Sequence, residues 1–380
     1  MTTSRPKLVF FVSVDWFFYS HFLERAMAAR DAGYEVVVLT RIIDHGERIK
    51  AAGLRVIHLD LDRRSLNPLG GVKALFHVWR VFSYEKPALV HQVALKPILI
   101  GSLAAKFSGI PHIINAVVGT GYLFSSRSFT TRLLRPIAQI ALKRLMNPRG
   151  SKVVFENNDD LSTFANGGYV RENDAVLIAG AGVRPDDYPA GGVFASPPLV
   201  VLVARLLWDK GIGEFVEAAR RIKRAGISVR FAVIGDIDPG NRASIDEATL
   251  RDWRKEGHVE FWGFRTDIAS VLQQAAIACL PSYREGLPKS LLEAMAASLP
   301  CVTTDVPGCR DAVRHCDNGL LVAPRDATSL QQALLKLICD PDLRAQMGKR
   351  GRARVETEFS SQQVIGQTLA LYHRMIAGRG

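Results

Sequence analysis

The sequence predicts an α/β protein of two parallel-sheet domains, and three observations predict it. At 380 residues the chain suits two domains of about 150–200 residues each. Short β-rich runs alternate with helix-length segments from end to end, the pattern of parallel strands covered by helices on both faces. Near the middle, the Gly-, Pro- and Asp-rich stretch GAGVRPDDYPAGGVFASPP (180–198) interrupts that alternation and reads as a linker. The expected architecture is therefore two Rossmann-like domains, 1–180 and 190–360. Open parallel sheets take ligands beyond the carboxyl ends of their strands, so two such sheets are expected to face each other across a cleft.

In order along the chain, the first-half strand candidates are KLVFFVS (7–13), EVVVLT (35–40), ALVHQ (88–92), HIINAV (112–117) and KVVFEN (152–157). Helical stretches lie between them at 18–32, 68–84 and 127–146. The apolar run Leu8–Val14 is short, ends at Asp15 and has no small-residue cleavage site, so it reads as a buried strand rather than a signal peptide. In the second half the alternation repeats with PLVVLVAR (198–205), a helix 211–225, VRFAVIG (229–235), a helix near 241–255 and AIACL (276–280). No apolar run reaches the ~18 residues that a membrane-spanning helix needs.

Five cysteines, an odd number with no CxxC pair, argue against a disulfide framework or structural zinc and favour a reducing compartment. The formal net charge is +12, with the larger excess in the first half. No carboxylate occurs between Glu85 and Glu156, a stretch holding ten basic residues. One-sided charge of this kind suggests an anionic partner. No nucleic-acid-binding motif accompanies it, so nucleic acid is not expected. VFFVSVDWFF lacks a GxGxxG, which sets aside a dinucleotide-dependent oxidoreductase.

The segment richest in chemistry is SYREGLPKSLLEAMAASLPCVTTDVPG (282–308). Glu285 and Glu293 are spaced Glu-x7-Glu, with a Gly286-Leu287-Pro288 turn and a helix KSLLEAMAA (289–297) between and around them. Pro288 suits the first helical turn. A helix start at the carboxyl end of a strand suits a diphosphate. Glu285 would stand in the turn near whatever that diphosphate carries, and Glu293, about two turns into the helix, could accept hydrogen bonds from vicinal hydroxyls. In VARLLWDKGIGEFVEAA (203–219), Arg205 ends a strand and Lys210 precedes a helix, a second pair of groups suited to a diphosphate. The bland alternative is that these are surface charges and a solvated helix residue.

The order VARLLWDKG, VIGDIDPG, Glu-x7-Glu and NGLLV resembles the donor-binding half of the family-4 retaining glycosyltransferases, which have the GT-B fold. VHQVALKP (90–97), VVGTGYLF (117–124) and FENNDD (155–160) resemble the lipid-linked oligosaccharide and exopolysaccharide branch of that family. The resemblance implies that Arg205 and Lys210 hold the donor diphosphate and stabilise it as it leaves. It also implies that Glu285 lies by the donor sugar and Glu293 binds the ribose. Amides near Lys289, Ser290 and Leu291 would cap the diphosphate, and Gly235 and Asp236 would line the nucleobase side. His91 matches the family's histidine near the reacting carbon, with a core histidine as the alternative. The helix within 361–380 would cross back to the first domain.

Many family members carry a Gly-rich loop after the first strand. Here that place reads SVDWFFYSHF (13–22), and an acceptor role is expected instead for some of Asp15, Trp16, Phe18, Tyr19 and His21, with a staple of the next helix as the alternative. The basic, apolar segment 125–152 sets Arg132, Arg135 and Lys143 on one side of a helix. It is read as a surface for anionic lipid and an undecaprenyl-diphosphate-linked acceptor. Asp60-Leu61-Asp62 and DID (236–238) lack clear metal-ligand context, so neither a metal nor a cofactor is expected, with DID as the one stretch that keeps a metal open.

The resulting expectation is a retaining hexosyl- or N-acetylhexosaminyltransferase of bacterial surface polysaccharide synthesis. It would use a nucleotide-sugar donor, UDP ahead of GDP by family frequency, and work in the cytoplasm, peripheral at the inner face of the plasma membrane. Alternatives are a non-hydrolysing sugar-nucleotide epimerase of the same fold and a non-catalytic scaffold in polysaccharide assembly.

Overall fold

The computed structural model describes residues 5–61, 68–118, 139–190, 196–239 and 241–378. Two compact units emerge, Met1–Ala181 with Gln363–Gly380, and Gly182–Gln362.

The first unit is built on a parallel sheet of seven strands in the order β3-β2-β1-β4-β5-β6-β7. They are β1 Lys7–Val12, β2 Glu35–Thr40, β3 Arg55–His58, β4 Leu89–Val93, β5 His112–Val117, β6 Ser151–Phe155 and β7 Ala175–Leu177. Central strands such as KLVFFV and EVVVLT are buried along runs of successive residues rather than alternately. Continuous burial is what a strand covered on both faces requires. One face packs Phe10, Phe18 and Phe22, and the other Val9, Phe11 and Phe82. The helix Ser361–Ala377 belongs here through Leu371, Tyr372 and Met375, which join the Phe10 face.

The second unit repeats the plan with six parallel strands ordered β10-β9-β8-β11-β12-β13. These are β8 Leu199–Val203, β9 Arg230–Ile234, β10 Glu260–Gly263, β11 Ile277–Leu280, β12 Cys301–Thr304 and β13 Gly319–Val322. The helix Ile212–Arg224 covers them because Ile212, Phe215, Val216, Ala219 and Ile222 recur on one face at helical spacing. Strand order reverses between β8 and β11. That switch point is where an open α/β sheet presents a ligand crevice.

Two local expectations need correction. The helix expected near 241–255 starts at Glu247, because the Asp246 side chain accepts the Thr249 amide and fixes the N-terminus there. The helix expected at 18–32 starts earlier and is divided at Phe22 into Asp15–His21 and Leu23–Asp31. Most of the basic helix expected at 127–146 lies outside the described residues, which contain its continuation at 139–145.

Candidate active site

The loops after β8 and β11 meet at the switch point of the second unit. Gly211 has φ +70°, and a Cβ there would fall 2.1 Å from the Pro281 carbonyl oxygen. Only glycine allows the two backbones to lie this close. The approach brings Lys210, from the turn Trp208–Lys210, to Glu285, with Nζ donating to Oε1 at 2.6 Å. Both side chains are largely withdrawn from water, 21% and 11% exposed. Arg205 follows β8 and pairs with Asp238, from the loop after β9. Asp238 of the DID run therefore serves a guanidinium. Gly235 has φ +147° and would clash with the Ala204 carbonyl if it carried a Cβ, while Asp236 beside it is exposed.

The turn Glu285–Pro288 leads into the helix Lys289–Ala296, where Pro288 is the N-cap and no side chain caps the first turn. Pro288 thus stands one position before the first helical turn, where the sequence had suggested it would lie. Gly286 lies against Gly308, whose backbone lines the other side of the turn. Leu287 is buried and Ser290 half-buried. The Leu291 amide is a correction: it donates to the Pro288 carbonyl at 3.0 Å, so it is engaged within the helix start rather than offered to a ligand.

Glu293 sits little more than one turn into that helix, not two. It is not solvated. Its Oε1 accepts from Tyr188 Oη at 3.0 Å, Lys289 Nζ lies 3.6 Å away, and burial pushes its pKa above the usual carboxylate range. Tyr188 was missed by sequence reasoning because it falls in the stretch read as linker. Arg352 holds it in place by donating to the carbonyls of Pro185, Tyr188 and Ala296. Next to Glu285, Tyr283 donates to Glu214 at 2.7 Å beneath the Arg325 guanidinium. Burial, with Glu285 nearby, pushes the Cys309 thiol up to about 12, so it stays neutral.

The first unit treats its expected site residues differently. His91, on β4, is only 2% exposed. It stacks on Phe10, and its Nδ1 lies 2.6 Å from Tyr372 Oη. Burial and the nearby Arg25 guanidinium lower its pKa to about 3, so it is neutral. In this arrangement it is a packed core histidine rather than one open to a reacting carbon. Phe18 is also corrected: it is fully buried edge-on to Phe10 and has no surface to offer an acceptor. Trp16, Tyr19 and His21 are half-buried; Tyr19 packs on His45, and His21 stacks on Phe17. Asp15 is a further correction to the acceptor candidates: it is fully buried, and its Oδ2 accepts the amides of Ile43, Asp44 and His45. Lys143 is exposed and lies over the Tyr169 ring, while Arg132 and Arg135 fall outside the described residues.

Taken together, the second unit assembles two cation–carboxylate pairs, an uncapped helix start and a buried glutamate on one edge of one sheet. That is chemistry for a diphosphate attached to a hydroxyl-bearing group. Residues 184–354 match the family of glycosyl transferases group 1, and residues 7–147 match the glycosyl transferase 4-like family. This chain is a family-4-type glycosyltransferase.

The glycosyltransferase is 28% identical to the Campylobacter jejuni N,N'-diacetylbacillosaminyl-diphospho-undecaprenol alpha-1,3-N-acetylgalactosaminyltransferase, over 92% of this chain and 93% of that one. It is 25% identical to the Escherichia coli UDP-Gal:alpha-D-GlcNAc-diphosphoundecaprenol alpha-1,3-galactosyltransferase, over 83% of each. Its fold is GT-B. Sucrose-phosphate synthase from Thermosynechococcus elongatus superposes with a TM-score of 0.80 at 19% identity, over 98% of this chain and all of that one.

Proposed function

We propose that this glycosyltransferase moves a sugar from a UDP-sugar to a saccharide carried on undecaprenyl diphosphate, with retention of anomeric configuration, in bacterial surface polysaccharide synthesis. The observation that carries the reading is the Lys210–Glu285 pair beside Arg205 and the start of the helix Lys289–Ala296. Breaking the sugar–diphosphate bond places negative charge on the leaving group and positive charge on the ring. Lys210, Arg205 and the helix start address the first charge by preorganised electrostatics. Glu285 stands where it can face the second. No metal is assigned a part, since these cations supply the neutralisation. Glu293 is assigned to the ribose hydroxyls, beside Tyr188.

The relatives' names support the acceptor class and, for one of them, the UDP donor. Reaction on such an acceptor sets the enzyme at the inner face of the plasma membrane. Among the described residues no helix is long and apolar enough to cross a membrane, so a peripheral attachment is proposed.

The test is transfer from a panel of UDP- and GDP-sugars to an undecaprenyl-diphosphate-linked saccharide in a chelator, with NMR of the product. An α-linked product from an α-linked UDP-sugar is expected. A β-linkage overturns retention, loss of turnover in chelator overturns the metal-free reading, and epimerised sugar nucleotide formed without acceptor overturns transfer itself.

A further inference from the structure

The helix Pro68–Glu85 of the first unit is amphipathic in an unusual sense: it buries one face and leaves a second apolar face to solvent. Ala74, Val78 and Phe82 point into the sheet. Leu69, Val72, Phe76 and Trp79 point away and are 73%, 63%, 55% and 36% exposed. At about 100° per residue these four occupy one arc about 80° wide. Lys73 and Arg80 border that arc on one side. On the other side lies an apolar groove of about 260 Å³, whose lining includes Leu75, Leu99, Leu103 and Leu145. Beyond it Phe107 and Ile140 are exposed as well.

Among the described residues, the charged side chains that border this face of the helix, Lys73 and Arg80, are both basic. Lys73, Arg80, Lys106 and Arg144 are exposed and have no ion-pair partner among the described residues. The helix carries a single acid, Glu85, whose carboxylate is buried and paired with Lys7 and Arg55. From there to Glu156 the sequence contains no carboxylate. An exposed apolar patch with a basic rim is the composition of a helix lying in a bilayer interface. A second copy of the chain would set one basic rim against another.

We infer that the Leu69–Val72–Phe76–Trp79 face and its adjoining groove dock on an anionic phospholipid bilayer, with Lys73 and Arg80 reaching the headgroups. This deepens the reading of a lipid-linked acceptor and rests on it for the biological membrane. It moves the main contact away from the segment 125–152, to which the sequence alone pointed.

The full chain would be floated with vesicles of phosphatidylcholine alone or of phosphatidylcholine with phosphatidylglycerol. Transfer to a water-soluble short-chain acceptor would be assayed in parallel. Wild type is expected to float with the anionic vesicles and to be released by salt. Val72→Glu with Phe76→Glu should lose flotation at least tenfold, and Lys73→Glu with Arg80→Glu should lose it on anionic vesicles. Both pairs should keep the wild-type rate on the soluble acceptor. Wild type that stays in solution, or variants that float as it does, overturn the docking surface. So does a dimer in sedimentation velocity that the Val72/Phe76 variant dissolves. Flotation as expected without any transfer keeps the surface and removes the acceptor reading instead.

Discussion

The loops after β1 and after β8 occupy the same place in the same topology, each following the strand next to the point where its sheet reverses order. They spend their charged residues in opposite ways. After β8, Arg205 and Lys210 face carboxylates from neighbouring loops, Asp238 and Glu285. After β1, Asp15 collects backbone amides: Trp16 on Oδ1, and Ile43, Asp44 and His45 on Oδ2. Side chains paired with side chains can exchange partners for an anionic ligand with little loss. A carboxylate that accepts several backbone amides exchanges less readily, because each exchange leaves those part-buried N–H groups without their acceptor. The first arrangement suits a binding loop and the second a brace.

The largest expected effect tests the binding loop. Lys210→Ala should lower kcat by about 10²–10³, the loss typical of removing one preorganised donor to developing charge. Nucleotide release and sugar transfer would both report it. Wild-type turnover would break the contrast between the loops. Asp15→Ala should instead act on stability, by about 1–3 kcal/mol, since it removes the buried acceptor of four part-buried amides. Urea unfolding measures this, and UDP affinity of the folded variant should be unchanged.

His91 supplies an effect of pH. Its folded pKa of about 3 lies below the ordinary value of 6.5. The unfolded chain therefore binds the extra proton between these values, and stability is full above about pH 6.5 and falls as pH drops towards about 3. His91→Gln should flatten that part of the stability–pH curve, read by thermal unfolding across the range. An unchanged curve would mean that the histidine is more hydrated than its packing indicates. The smallest effect belongs to Tyr188→Phe, about 1 kcal/mol in UDP affinity for one hydrogen bond. Burial raises the Glu293 pKa and the Tyr188 bond opposes that rise. The pH above which UDP binds well should therefore move upward in the variant, measured by calorimetry over a pH series.

The two sheets were legible in the sequence because parallel, doubly covered strands need unbroken apolar runs, as KLVFFV and LVVLV show. Arg205, Lys210, Glu285 and Glu293 were legible as a set because strand–loop–helix junctions repeat at readable spacings. Tyr188 was not, because its hydrogen bond spans 105 residues and its neighbours read as linker. His91 and Phe18 looked like ligand groups because a histidine in a strand or a phenylalanine in a short helix has the same letters whether it faces a ligand or a core. Leu291 failed for a smaller reason, the tight first turn that engages its amide with Pro288. The apolar face of Pro68–Glu85 escaped notice because a second hydrophobic stripe simply raises a helix's apolar content and does not show which stripe is covered.

By itself the sequence determined the alternation of strands and helices, the concentration of positive charge in the first half, and the spacing that singles out Arg205, Lys210, Glu285 and Glu293 as candidates. These depend on local propensity, periodicity and composition. Only the tertiary structure decided which charges pair, that Glu293 is buried against Tyr188, that His91 is sealed beneath Phe10 and Tyr372, and which face of Pro68–Glu85 remains uncovered. Each of these depends on what distant segments bring into contact, and burial sets both the electrostatics of a side chain and whether anything can reach it.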